Sequence, residues 1–276
     1  MTPAEAAVGR LVVCPTPIGN LEDVTPRVLA ALESADVIAC EDTRHTRVLL
    51  DRYGIRARLV SLHEHNERAR EGELLARIAA GEVVALVSDA GTPLVSDPGY
   101  ALVRACLGEG LAVEVLPGPS AVITALVASG LPLERWTFVG FLPRSRRERE
   151  ELLAGAGETL VAFESPRRLV ATLALLAESD PDRPVAVCRE LTKRHEEVRR
   201  GGAAELEAHY REVPPRGEIV LVCGAAPAGR ADREEALAAV RDLIGAGARA
   251  RPAAAAVSRL TGLAANELYR ALTGES

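Results

Sequence analysis

The chain reads as an α/β protein of two domains with a small helical appendage. Three observations predict this. Short apolar runs of strand length recur along the chain, several stop abruptly in Pro-, Gly- or Asp-containing breaks, and apolar residues at helical spacing follow most of those breaks. Alternating strand and helix signals specify a sheet layered with helices. The 276 residues exceed the roughly 100 to 150 usual for one domain. Two α/β domains are therefore expected, at 1–118 and 119–226, with the helical appendage at 227–276.

Taken in order, Leu11–Cys14 is an apolar strand that breaks into Pro15-Thr16-Pro17-Ile18-Gly19-Asn20. Thr25 as N-cap and Pro26 at the first helical position then start a helix that buries Val28, Leu29 and Leu32. Val37–Cys40 is a second strand, stopping at the polar run Glu41–Arg47, where Asp42 or Thr43 is expected to cap the next helix. Arg58–Leu62 is a third, ending in His63-Glu64-His65 before a helix from about Arg68 to Ala80.

The stretch from Glu82 to Ala121 organises the rest. Its two strand runs, Val83–Val87 and Ala112–Leu116, break into Ser88-Asp89-Ala90-Gly91-Thr92-Pro93 and Pro117-Gly118-Pro119-Ser120-Ala121. Ligands of open α/β sheets lie outside the carboxyl ends of the strands, where following helices aim their N-termini. Between the two runs, Asp97-Pro98-Gly99 reads as the capped start of a helix through Leu107.

Downstream, Ile123–Val127 is helical and Trp136–Phe141 opens a β-rich run. Thr159–Phe163, Val185–Cys188 and Glu218–Cys223 are strands, Glu148–Leu153 and Leu169–Leu176 helices. Several connections are too short for a crossover helix, so antiparallel pairing is expected here. Arg233–Gly245 and Arg251–Leu272 read as the appendage's helices.

Composition excludes several classes of function. With 48% apolar and 26% charged residues, the chain can bury a large core. No apolar run is long enough to cross a bilayer, and Met1–Gly9 lacks the basic and apolar regions of a signal peptide, so a cytoplasmic protein without membrane contact is expected. Five cysteines without a CxxC pair read as buried small hydrophobes. His63-Glu64-His65 lacks partners at zinc-ligand spacing, and no metal is expected. GxGxxG and GxxxxGK[ST] are absent, which argues against dinucleotide and nucleoside-triphosphate chemistry. The net charge of −6 lies wholly in residues 1–118, which hold 11 Arg against 17 Asp and Glu. Arginine clusters at 144–149, 167–168 and 194–200 leave phosphate contacts open in the second half.

The blocks Pro15–Asp23, Cys40–Arg44, Ser88–Pro93, Pro117–Ala121, Phe163–Pro166 and Glu190–Lys193, in this order, resemble the ribosomal small-subunit methyltransferase I family. Its fold is similar to that of the tetrapyrrole (class III) methylases. The resemblance implies a cytidine ribose 2′-O-methyltransferase of 16S ribosomal RNA in the small ribosomal subunit, a homodimer, and an S-adenosylmethionine site between two αβα domains. Carried over block by block, it assigns the cofactor to Ile18, Ala90, Gly91, Thr92, Val95, Ser120, Ala121, Phe163 and Leu191. Small residues suit that role, because the cofactor has no phosphates and needs close backbone approach.

A ribose 2′-hydroxyl must lose its proton during or after attack, and a carboxylate or neutral imidazole is the expected acceptor. Glu41, Asp42, His63 and Glu64 are candidates because each follows a strand's carboxyl end. Arg44, Arg144, Arg146, Arg147, Arg167 and Arg168 are the expected RNA contacts. The alternative is a small-molecule methyltransferase of the same fold acting on a tetrapyrrole or corrin precursor, with the arginines neutralising its carboxylates.

Overall fold

The computed structural model describes residues 9–63, 66–226, 233–261 and 263–273. Two five-stranded sheets carry the main body. The first holds β1 (Arg10–Val13), β2 (Val37–Cys40), β3 (Leu59–Ser61), β4 (Val83–Val87) and β5 (Ala112–Val115) in the order β3-β2-β4-β1-β5. All its pairings are parallel, and its strands run apolar on both faces, as a sheet covered twice requires. Val12, Cys14, Ile38, Cys40 and Ala85 face one core with Val28 and Leu32 of α1 (Pro26–Ser34) and Leu49 and Leu50 of α2 (Thr43–Tyr53). Leu11, Val13, Val37, Val84 and Leu86 face the other, against α3 (Glu67–Ala79) and α4 (Tyr100–Gly108).

The helix starts follow their local chemistry. Thr25 accepts the Val28 amide at 3.2 Å with Pro26 at the first position, and Asp42 accepts the Arg44 amide at 2.8 Å. Each such cap is worth about 1 kcal/mol. Of the pair Asp42 and Thr43, the cap is Asp42. The expected cap of α4 is corrected: its N-cap is Gly99, at φ 115°, and no side chain of the preceding residues caps it. Glu67 supplies the missing acceptor from α3, taking the amides of Gly99 at 2.9 Å and Ala101 at 3.4 Å.

The second sheet holds β6 (Trp136–Phe141), β7 (Thr159–Glu164), β8 (Pro184–Arg189), β9 (Glu197–Gly202) and β10 (Ile219–Cys223) in the order β6-β7-β10-β8-β9. Only β6 and β7 pair in parallel; the other three pairings are antiparallel. One face packs under α6 (Arg146–Ala154), α7 (Leu169–Ser179) and α8 (Ala203–Glu212), burying Leu153, Leu173, Leu176 and Leu206. On the other, α5 (Ala121–Ser129) covers Val161, Ala186, Cys188, Val220 and Val222, and Ile18 joins that core from the first half.

Sequence periodicity misses β9 and α8. The run read as a basic cluster is an edge strand: Arg199 pairs with Glu197 at 3.2 Å, and Arg200 donates to the carbonyls of Ala128 and Ser129 at the end of α5. The appendage comprises α9 (Arg233–Gly245), α10 (Ala250–Thr261) and α11 (Ala265–Thr273) around Ala236, Val240, Ala253, Val257 and Leu268. A single helix over 251–272 is thus corrected to two; the Thr261 hydroxyl accepts the Leu263 amide at the break. Among the described residues, no helix is long and apolar enough to cross a membrane.

Candidate active site

The sheet order places the ends of β2, β4, β1 and β5 side by side, so their loops form one rim. Two of these loops are stitched together. Thr16 and Gly91 exchange both backbone hydrogen bonds, at 2.8 and 2.9 Å, and the Thr16 hydroxyl donates to the Ser88 carbonyl at 3.0 Å. Gly91 sits at φ 76°, where a side chain is costly. Gly19 serves a different need: a Cβ there would lie 2.8 Å from the Leu191 carbonyl and 2.7 Å from Thr192 Oγ1, so only glycine lets the first rim touch the second half.

Where the two halves meet lies a cavity of about 400 Å³, a size suited to a small-molecule ligand. All nine residues assigned to the cofactor from sequence, Ile18, Ala90, Gly91, Thr92, Val95, Ser120, Ala121, Phe163 and Leu191, line it. Small residues of the first rim form one side, with Ser120 capping α5 at the cavity's edge. The second half contributes an apolar side from Cys188, Ile219, Val220 and Phe163. Phe163 is wedged between Phe138 and Phe141, at centroid distances of 5.1 and 5.2 Å.

Four carboxylates also line the cavity and were not singled out from the sequence: Asp89, Asp97, Glu164 and Glu218. Glu164 is buried and fully engaged. It accepts from the Ser165 amide, the Thr172 hydroxyl and Arg168, each at 2.6 Å. Asp97 is half-buried, and burial, then the charges of Glu41 and Asp89, pushes its carboxyl up to about 6.

The expected proton acceptors lie elsewhere. Asp42 lines a neighbouring hollow of about 380 Å³ with Arg44, His45, Thr46 and Thr16, and Asp89 borders both spaces. Its two oxygens take the Arg44 guanidinium at 3.1 and 2.7 Å, and these bonds hold its carboxyl well below the usual carboxylate range. Asp42 is thus occupied as a cap and ion-pair partner. Glu41 and His63 line neither space, although Glu41 faces Asp97 electrostatically. Glu64 lies outside the described residues. Among the described residues, no group of three His, Cys, Asp or Glu gathers at metal-binding geometry.

The arginines divide sharply. Arg144 and Arg167 are exposed. Arg146 pairs with Glu178 at 2.8 Å and Arg147 with Glu151 at 2.7 Å, both on the surface, and Arg44 is 90% exposed beside Asp42. Arg168 does not join an exposed patch. Besides Glu164, it donates to the carbonyls of Leu142 and Pro143 at 3.1 and 3.0 Å, tying β6 and β7 to the start of α7.

The profile of the Tetrapyrrole (Corrin/Porphyrin) Methylases matches residues 10–207. A Mesorhizobium japonicum protein named ribosomal RNA small subunit methyltransferase I is 46% identical over 275 residues, covering 98% of this chain and 93% of its own. The chain belongs to the tetrapyrrole methylase family, among its ribosomal RNA small subunit methyltransferase I members. The crystal structure of a uroporphyrin-III C-methyltransferase from Thermus thermophilus superposes with TM-score 0.57 at 26% identity, covering 78% of this chain and 94% of that one. A Thermus thermophilus uroporphyrin-III C-methyltransferase complexed with S-adenosylhomocysteine gives TM-score 0.56 at 22% identity, covering 78% of this chain and 97% of that one. The tetrapyrrole methylase fold predicted from the sequence is therefore the fold observed.

Proposed function

We propose that this chain is an S-adenosylmethionine-dependent methyltransferase acting on the ribose 2′-hydroxyl of a cytidine in the 16S RNA of the small ribosomal subunit. The observation that carries this reading is the convergence of all nine cofactor-assigned residues on one cavity, in a chain 46% identical to a protein named for that activity on small-subunit ribosomal RNA. The cavity's chemistry fits the cofactor. Gly91 and Ala90 allow close backbone approach, the apolar side from Phe163, Leu191 and Val220 suits an adenine, and the carboxylates of Asp89 and Glu218 complement a cationic donor with an ammonium tail. When bound, the sulfonium supplies an already activated methyl group. The protein's share is then to align the acceptor oxygen, exclude water and take a proton.

The three units, 1–118, 119–226 and 227–276, divide this work between cofactor rim, cavity wall and an added RNA surface. Arg144 and Arg167 are the exposed cations best placed to meet phosphate, with Arg44, Arg146 and Arg147 as weaker contributors because each is already paired. The appendage adds Arg249, Arg251, Arg259 and Arg270 against Glu267 alone between 249 and 273. A homodimer would form along edge strand β5 and the outer side of α5, where Val115, Ile123 and Val127 are exposed. The enzyme would work in the cytoplasm, where its substrate particle is.

The test is transfer of labelled methyl to undermethylated 30S particles, beside naked 16S RNA and a tetrapyrrole precursor. Label recovered as 2′-O-methylcytidine supports the reading. Label appearing only in the tetrapyrrole overturns it.

A further inference from the structure

The loop from β4 to α4 is held in a costly shape. Leu94 and Ser96 adopt φ of 73° and 68°, a region that costs a non-glycine residue roughly 1–2 kcal/mol. Gly99 follows at 115°, and a Cβ there would stand 2.7 Å from Leu86 Cδ2. Strain of this kind persists only where the surroundings impose it, and it gathers at working sites. At the end of the loop the Glu67 carboxylate accepts the amides of Gly99 and Ala101. By capping α4 from a distance, Glu67 releases Asp97 from the duty its sequence position suggests. Asp97 instead becomes a wall of the main cavity, among the residues proposed to hold the methyl donor.

The groups whose charges act on Asp97 are the carboxylates of Glu41, which follows β2, and Asp89, which follows β4, with the nearby Ser88 hydroxyl opposing them. Asp42, the other acid of the rim, is locked to Arg44 and lines the neighbouring hollow.

We propose that Asp97 is the proton acceptor for the ribose 2′-hydroxyl. This inference rests on the methyl-transfer reading above. In the balanced step, a lone pair of the 2′-oxygen forms the new O–CH3 bond while the S–CH3 pair returns to sulfur. The 2′-O–H bond breaks, its electrons stay on oxygen, and the proton passes to the Asp97 carboxylate. The positive charge of the sulfonium and the negative charge of the carboxylate are both discharged. A carboxyl that titrates near pH 6 is ionised at neutral pH and still basic enough to help.

The experiment compares wild type, Asp97→Asn and Asp97→Glu in single-turnover methylation of 30S particles across pH 5–8. It is run beside calorimetric binding of S-adenosylhomocysteine and a 13C-carboxyl titration of the wild-type protein alone. The expected result is a wild-type rate that rises through about pH 6 and an Asn variant roughly 10²–10⁴-fold slower, with that pH dependence gone and Kd for S-adenosylhomocysteine unchanged. The Glu variant should recover part of the rate, and the Asp97 carboxyl should titrate near 6. An Asn variant as fast as wild type overturns the inference, as does a loss due wholly to weaker cofactor binding or a carboxyl titrating near 4. Wild type that puts no methyl on RNA would instead overturn the reading beneath it.

Discussion

Replacing Arg168 with alanine separates a structural arginine from an RNA-binding one. In the structure its guanidinium meets a Glu164 side chain with no exposed surface, while Arg168 itself is 25% exposed. Removing one member of a buried pair leaves an uncompensated charge and typically costs about 3–5 kcal/mol. The partial exposure of Arg168 argues for the low end. The carbonyls of Leu142 and Pro143 would also lose their donor. A loss of about 3 kcal/mol corresponds to a fall in Tm of roughly 6–12 °C at about 2–4 °C per kcal/mol for a chain of this size. The assay is thermal unfolding by circular dichroism, with Arg168→Ala/Glu164→Gln beside it, since removing the charge left behind should restore part of the stability. A phosphate-contacting arginine predicts the opposite pattern: unchanged Tm, weaker RNA binding and a salt slope reduced by about 1. A Tm within about 2 °C of wild type would refute the structural assignment.

Other outcomes follow from the same geometry. Gly91→Ala places a Cβ at φ 76°, 3.4 Å from Ile18 Cγ2; it should cost about 1–2 kcal/mol of stability and weaken S-adenosylhomocysteine binding about tenfold by calorimetry, a change of about 1.4 kcal/mol. Because the folded protein raises the Asp97 carboxyl from 3.8 to about 6, the stability this group contributes is fully present below about pH 4 and is lost as pH rises through about 6. Asp97→Asn should therefore unfold at higher temperature than wild type at pH 7, with the difference vanishing below about pH 4. Arg144→Ala with Arg167→Ala should leave Tm unchanged while lowering the salt slope of RNA binding by about 1–2.

The residues assigned to the cofactor are legible in the sequence because they are local events, and the fold gathers them on one cavity. Most of the nine cavity residues sit in the small or turn-forming breaks that follow the strands. The acid chemistry is harder to read, because it depends on partners remote in the chain. Asp97 before a helix looks like a cap, and only the fold reveals that Glu67, 32 positions before the Gly99 amide it accepts, takes that role. Asp42 follows a strand end, and only the structure shows its two oxygens on the Arg44 guanidinium. Arg168 carries a legible hint in the four-residue spacing to Glu164, a spacing that favours ion pairs on a helix, although here the acid ends a strand. Strand β9 escapes because Glu197–Gly202 is polar and glycine-ended, and its partner residues in β8 precede it by 8 to 18 positions.

The last strand of the second sheet occupies its middle. Strand β10 separates β7 from β8, so these two have no hydrogen-bonded neighbour on that side until residues 219–223 leave the ribosome. The first sheet, by contrast, is complete by residue 115. At about 5–20 residues per second, the nascent chain passes several seconds with one finished sheet and one divided sheet. During that interval the cavity has its rim but not Ile219 or Val220 of its wall. The cavity is therefore completed late in the life of each new chain, and a product truncated before residue 219 would hold every strand of the first sheet but lack that part of the wall.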